Sequence, residues 1–405
     1  MTTDRTPSPA SRRPAGRSQS SSTSRPRRPL GRRVAAALLV VGALLAVVGC
    51  GSGSSRDGAS VGSVPPVLVD GTLPRFGEGT VLRVIAHDSF AVSTAVLDQF
   101  TAETGVKVEI LTQGDAGTMV NAAILTRDAP QGDLLFGIDE NLLTAAFDAG
   151  LFQPYRASRL DGVDPSYRVD DQHRVTPIDH GDVCVNFDRA WYSAGSAPVP
   201  QQFEDLADPA TRSQLVVEDP TSSSPGLAFL LATIARFGGG DDTSSGAAWL
   251  DYWRSLKAND VRVVDGWEQA YYGSFSGSSG EGDRPLVVSY SSSPPAEVTD
   301  TSLAVDATPT GVLPDTCYRQ IEFAGVLAGA AEPDAARAFI EFMLGEAFQQ
   351  DLPDQMYVYP VVRGTTVSEV FAKYTTSVPE PLTLPFAEVA ANRERWIAQW
   401  ASVFR

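Results

Sequence analysis

Val81-Leu82-Arg83-Val84-Ile85-Ala86 is a short apolar strand, and the pattern that follows it sets the architecture. Ser93 to Thr104 predicts a helix carrying Val96, Leu97 and Phe100 on one face. Gly105 stands where a left-handed cap residue ends such a helix. Val106, Val108 and Ile110 alternate as a second strand, and Ala116 to Thr126 predicts a second helix. Asp133 to Ile138 gives a third strand and Glu140 to Ala149 a third helix. Parallel neighbours need a crossover long enough to hold a helix, so this repetition means a parallel sheet with helices on its faces. In such sheets ligands sit beyond the carboxyl ends of the strands.

Downstream the plan resumes after about residue 182. Asp182 to Phe187, Leu215 to Glu218, Leu286 to Tyr290 and Arg319 to Val326 predict strands. Gly226 to Phe237, Asp334 to Phe348 and Phe386 to Trp400 predict helices, the second with Ala335, Ala338, Phe339, Phe342 and Met343 on one stripe. Phe275 to Arg284 is rich in Gly and Ser and predicts a loop.

Upstream, the fifteen-residue run Val34 to Val48 follows nine arginines and closes on Gly49-Cys50, before Gly51-Ser52-Gly53-Ser54-Ser55. The run is shorter than the roughly 18–20 residues a membrane span needs. It predicts a signal peptide over residues 1–49. Small residues before the cysteine resemble a bacterial lipobox, which implies a lipid on Cys50, a tether over 50–77 and an extracytoplasmic protein anchored to the outer face of the cell membrane. An ordinary signal peptide with a chance cysteine is the alternative.

The signal segment carries a net charge of +8, so its removal leaves 356 residues at −25, against −17 for the whole chain. That length suits two lobes better than one core, and that charge excludes nucleic acid as a partner. It favours a cationic ligand, although solubility alone also explains it. Cys184 and Cys317 remain as an even pair in an oxidising compartment, which suggests one disulfide. Three histidines with no CxxC or HExxH spacing define no metal site, and no glycine-rich phosphate loop calls for a cofactor.

Two serine-rich turns carry the best local signals. Asp219-Pro220-Thr221-Ser222-Ser223-Ser224-Pro225 and Tyr290-Ser291-Ser292-Ser293-Pro294 each end a strand, cluster hydroxyls and open on a proline suited to a first helical position. Free N–H groups at such a helix start favour a phosphate or carboxylate, whereas simple N-capping is the plainer reading. Trp267, Tyr290, Tyr357 and Tyr359 flank these turns, as core residues or as faces that hold flat or cationic ligands.

Asp88-Ser89-Phe90, Gly137 to Leu143, Asp219 to Leu227, Gly266-Trp267, Ser289 to Pro294, Tyr359-Pro360-Val361 and Glu388 to Arg393 occur in the order found in the thiamine-binding proteins of bacterial ABC importers, which the chain resembles from about Val81 to its C-terminus. The resemblance implies a two-lobe, type II periplasmic-binding-protein fold with the ligand between lobes. The lobes would be residues 78–178 with 318–355, and 181–314 with 359–405. It implies a monomer that binds thiamine or its phosphates and serves an ABC permease and its ATPase. Residue by residue it assigns Asp115, Ala116, Ser223, Ser224, Trp267, Tyr290, Ser291, Ser292, Ser293 and Pro294 to the cleft.

Departures from the family pattern thin the aromatic cage. His87 replaces a tyrosine, Thr94 is the nearest residue to an expected tryptophan, and Tyr357 stands for a C-terminal one. The second reading is an enzyme, similar to thiaminase I, with Cys184 as nucleophile. That would require a thiol of lowered pKa and a nearby base.

Overall fold

The computed structural model describes residues 67–195, 198–238, 247–277 and 282–404. The expected signal peptide 1–49, the lipidated Cys50 and the tether as far as residue 66 lie outside the described residues. From residue 67 the expected tether is packed: Leu73 and Phe76 lie against a buried apolar cluster, and Phe76 N–H donates to the Thr104 carbonyl at 2.8 Å.

The first half follows the alternation read from the sequence: β1 (Val81–Ala86), α1 (Thr94–Thr104), β2 (Lys107–Thr112), α2 (Ala116–Leu125), β3 (Leu134–Asp139) and α3 (Leu143–Asp148). Ser93 accepts from Val96 N–H to start α1, and Gly105 ends it at φ 79°, as its lack of a side chain allows. Next come β4 (Thr176–Asp188), α4 (Arg189–Ser193), α5 (Phe203–Leu206), β5 (Leu215–Glu218), α6 (Ser224–Phe237), α7 (Ala248–Ala258), β6 (Arg262–Val264) and β7 (Leu286–Tyr290). The chain finishes through β8 (Thr310–Val326), α8 (Pro333–Met343), α9 (Glu346–Gln355), β9 (Tyr359–Pro360), α10 (Glu369–Tyr374) and α11 (Phe386–Phe404).

The strands form one sheet in the order β2-β1-β3-β8-β4-β7-β5-β6, with β9 paired on β4. β1 pairs parallel with β2 and β3, and β5 pairs parallel with β6 and β7. These two parallel triplets are joined by β4 and β8, which run antiparallel to each other and to β3 and β7. The strands expected at 182–187 and 319–326 are therefore only parts of strands of 13 and 17 residues. Pro177, Gly181, Pro314 and the buried polar residues Asp179, Gln320 and Glu322 hide the longer strands from an apolar pattern.

The β4–β8 ladder shifts register twice, once between Val183 and Val185, which face Tyr318 and Leu313. There Cys184 stands opposite a bulge of residues 314–317, where Val185 N–H donates to the Thr316 hydroxyl at 2.9 Å. Cys184 and Cys317 are joined by a disulfide at this bulge, with Cα atoms 4.2 Å apart.

Two further expectations change. The helix expected over 334–348 is broken at Gly345, which starts α9. The second serine turn opens only a four-residue 3₁₀ turn, Pro294–Glu297, because Pro295 disfavours helical backbone at the residue before it.

One core packs α1, α8 and α9 on the β1–β3 triplet, with Phe100 edge-on to Phe339 at 4.9 Å. Another runs from α2 through α6, α7 and α11, where Trp253 meets Trp400 at 5.7 Å. Each such side chain, once buried, contributes roughly 1.5–3 kcal/mol. Residues 224–234 of α6 are buried throughout, so its N-terminus is held deep in the molecule.

Candidate functional site

A cavity of about 260 Å³ lies where the α2 and α6 N-termini meet, at the small end for small-molecule sites. Its walls include His87, Asp88, Phe90, Asp115, Ala116, Ser224, Trp267, Glu268, Tyr271, Tyr272, Tyr290, Ser293, Glu322 and Tyr357. Of the residues the sequence proposed, eight therefore line it: His87, Asp115, Ala116, Ser224, Trp267, Tyr290, Ser293 and Tyr357. Ser223, Ser291, Ser292 and Pro294 are buried beside it rather than on its wall. Ser223 is the N-cap of α6, its hydroxyl accepting from Gly226 N–H at 3.4 Å.

Asp115 is the centre of the arrangement. As N-cap of α2 it accepts from Ala116 N–H at 2.6 Å. The same carboxylate accepts from Ser224 N–H at 3.1 Å and from Trp267 N–H at 3.0 Å, both on the β7-β5-β6 side of the sheet. Burial pushes its pKa up, and the Trp267 and Ser224 N–H groups pull against that rise. Three more bonds cross between the same sides. Ser224 Oγ donates to Asp139, Thr118 N–H to the Ser222 carbonyl at 3.0 Å, and Ser89 Oγ to Glu268 at 3.3 Å.

His87 and Glu322 face the cavity 3.7 Å apart, an ion contact too long for a direct hydrogen bond. Burial works against the His87 imidazolium, but Glu322, with Asp115 and Asp88 behind it, outweighs burial and raises the pKa. His87 Nε2 and Glu322 Oε2 make no hydrogen bond among the described residues. Buried polar atoms left in this way favour a partner that supplies the bonds. Asp179 lies behind Glu322; burial first, then the Glu322 charge, drives its carboxyl well above the usual range.

The aromatic wall is fuller than the sequence suggested. Trp267 stacks on Tyr271 at 4.9 Å and 17°, meets Tyr272 edge-on at 5.5 Å, and donates Nε1–H to Ser289 Oγ at 3.0 Å. Tyr271 and Tyr272 lie on a π-helical turn, Gln269–Ser274, and their spacing of four and five residues from Trp267 was the available signal. Glu268 and Glu322 were also missed. Glu322 comes to the cavity only because β8 pairs with β3 and β4, which no local pattern reveals. Tyr357 holds a left-handed backbone at φ 55°, a conformation costly for a tyrosine and concentrated at functional sites.

The wall chemistry is therefore four carboxylates (Asp88, Asp115, Glu268, Glu322), one imidazole and a row of aromatic rings, with no Lys or Arg among the described lining residues. It suits a flat, cationic organic molecule. Cys184 is buried on β4 with its sulfur in the disulfide, so it offers no thiol to act as a nucleophile.

The family model for bacterial extracellular solute-binding proteins matches residues 130–379. The chain is 29% identical over 342 residues to the thiamine-binding periplasmic protein of Escherichia coli (strain K12), covering 83% of this chain and 96% of that protein. It is 28% identical over 343 residues to the thiamine-binding periplasmic protein of Brucella suis biovar 1 (strain 1330), covering 82% and 94%. A solved periplasmic thiamin binding protein superposes with a TM-score of 0.70 at 27% identity, over 82% of this chain and 99% of that one. With a mixed sheet of this topology, helices on its faces and a family match across more than half its length, the chain belongs to the bacterial extracellular solute-binding proteins.

Proposed function

We propose that this protein captures thiamine outside the cytoplasm and delivers it to the permease and ATPase of an ABC importer. The observation that carries the reading is the cavity wall, in which stacked aromatic side chains stand among four carboxylates with no lysine or arginine among the described lining residues. Thiamine is a permanent cation with two flat rings. Aromatic faces hold such rings by stacking and cation–π attraction, and carboxylates complement the thiazolium charge. His87 Nε2 and Glu322 Oε2 supply unmet hydrogen-bonding capacity for the aminopyrimidine. The names of the relatives point the same way.

In this reading residues 78–178 with 318–355 act as one lobe and residues 181–314 with 359–405 as the other. Asp115, Ser224 and Trp267 meet where they close. The protein works as a monomer held to the membrane by a lipid on Cys50. The test is titration with thiamine followed by tryptophan fluorescence and calorimetry. Saturable quenching is expected, with Trp267→Ala weakening binding by ~1–3 kcal/mol as stacking is lost. Thiamine that gives neither quenching nor a rise in melting temperature rejects the reading.

A further inference from the structure

Glu322 reaches the cavity from β8, and the register of the sheet sets a carboxyl group on each side of it. Asp139 of β3 and Asp179 of β4 both pair with Glu322, so the three lie in one row across β3-β8-β4. Paired residues of adjacent strands share a face of the sheet, and like charges placed in this way repel. Asp139 has donors of its own, Ser224 Oγ and Asn141 N–H. Asp179 is fully buried, and neither of its carboxyl oxygens meets a hydrogen-bond partner among the described residues. Glu322 Oε2 is left in the same way, and its Oε1 takes a long contact of 3.4 Å from Gln320 Nε2. One proton on Asp179 accounts for both vacancies. It removes one of two facing charges and makes Asp179 an O–H donor to the Glu322 carboxylate, a charge-assisted bond. The titration of Asp179 runs the same way, since burial and then the Glu322 charge favour its protonated form.

We infer that Asp179 is a positioning residue for the ligand: kept neutral, it donates to Glu322 and fixes that carboxylate, ionised, toward His87 and the cavity. The inference rests on the thiamine reading above and adds to it a residue that never touches the ligand. An ionised carboxylate has about four lone-pair sites. Glu322 can therefore accept from Asp179 and still face a cationic ligand and His87 Nε2, which stands 3.7 Å away. The other titratable groups around Glu322 are Asp139 and Glu140 from β3, His87 just beyond β1 and Tyr290 at the end of β7. Were Asp179 ionised, it would push the Glu322 carboxylate out of place or force it to take the proton, and the cavity would lose a fixed negative charge.

The experiment compares Asp179→Asn, which keeps a donor with no proton to lose, and Asp179→Val, which suits a strand but removes the donor. Thiamine titrations at pH 7 are expected to give an affinity within threefold of the parent for Asp179→Asn and at least tenfold weaker for Asp179→Val. In a Glu322→Gln background the Asp179→Val change is expected to cost less than threefold, because its effect passes through Glu322. Infrared difference spectra, parent minus Asp179→Asn without ligand at pH 7, are expected to show the carbonyl stretch of a neutral carboxylic acid. Where Asp179→Val does not fold, that band and the Asp179→Asn affinity decide. A missing band, an Asp179→Asn protein that binds at least tenfold more weakly than the parent, or a folded Asp179→Val protein that binds like the parent overturns the inference and leaves the thiamine reading standing. A folded parent that binds no thiamine overturns both.

Discussion

Gly137 sits in β3 at φ 91°, and a Cβ there would lie 2.2 Å from His87 Cδ2, so only glycine leaves His87 room to face Glu322. Two residues on, Asp139 is fully buried and accepts from Ser224 Oγ and from Asn141 N–H at 2.7 Å. Burial pushes its pKa from 3.8 to about 6, against the pull of those two donors. A carboxyl whose folded pKa is raised holds its proton longer in the native state than in the unfolded chain. Its contribution is therefore complete below about pH 4 and is lost as pH rises through about 6. The full difference is worth ~3 kcal/mol. Asp139→Asn keeps an acceptor without the titration, so its stability relative to the parent should rise by up to that amount between pH 4 and pH 7. Denaturant melts of both proteins across that range check it, and a constant difference rejects it.

At the scale of elements, the two sides of the sheet also meet backbone against backbone. Gly117, in the first turn of α2, stands so near the 219–223 turn that a Cβ would lie 2.6 Å from the Ser222 carbonyl oxygen. Thr118 N–H reaches that same oxygen at 3.0 Å. Gly117→Ala must push the turn away, loosening the Asp115 contacts to Ser224 and Trp267 while Met119, Val120 and Ala123 keep α2 in its core. Thiamine affinity should fall about tenfold or more, ~1.4 kcal/mol, with the melting temperature of the free protein little changed. Calorimetry on the variant decides it, and unaltered affinity would show that the approach is not used in binding. Such a contact is invisible in a sequence, because α2 and the turn lie about a hundred residues apart. By contrast β1, α1, β2, α2, β3, β5 and β7 were legible, since each carries a local run or alternation of apolar residues. Eight cavity residues were legible through resemblance and serine-turn chemistry. Tyr271, Tyr272, Glu268 and Glu322 were not, as a π-helical turn and a strand pairing bring them in.

At the scale of the whole molecule, β4 and β8 carry every strand pairing between the two parallel triplets among the described residues. Residues 183–187 of β4 pair with β7, and residues 322–326 of β8 pair with β3. The disulfide starts within the first of those contacts, Cys184 itself pairing with Ser289 of β7, and closes a span of 133 residues across a bulge that would otherwise be a weak point in the ladder. By the chain-entropy account a loop of that length is worth ~4–5 kcal/mol, and measured native bridges fall at about 2–5. The cysteines are buried at the joint, not on the cavity wall. Removing them should therefore lower stability without touching ligand contacts. Thiol titration of the unfolded, unreduced protein should find neither Cys184 nor Cys317 free. Cys184→Ala with Cys317→Ala should unfold at lower denaturant by ~2–5 kcal/mol, yet bind thiamine within about threefold of the parent well below its melting temperature and leave the vitamin chemically intact, as the parent does. Unchanged stability would remove the bridge from the account of how the two halves are held. Thiamine consumed by the parent but not by the variant would return Cys184 to the role of a nucleophile.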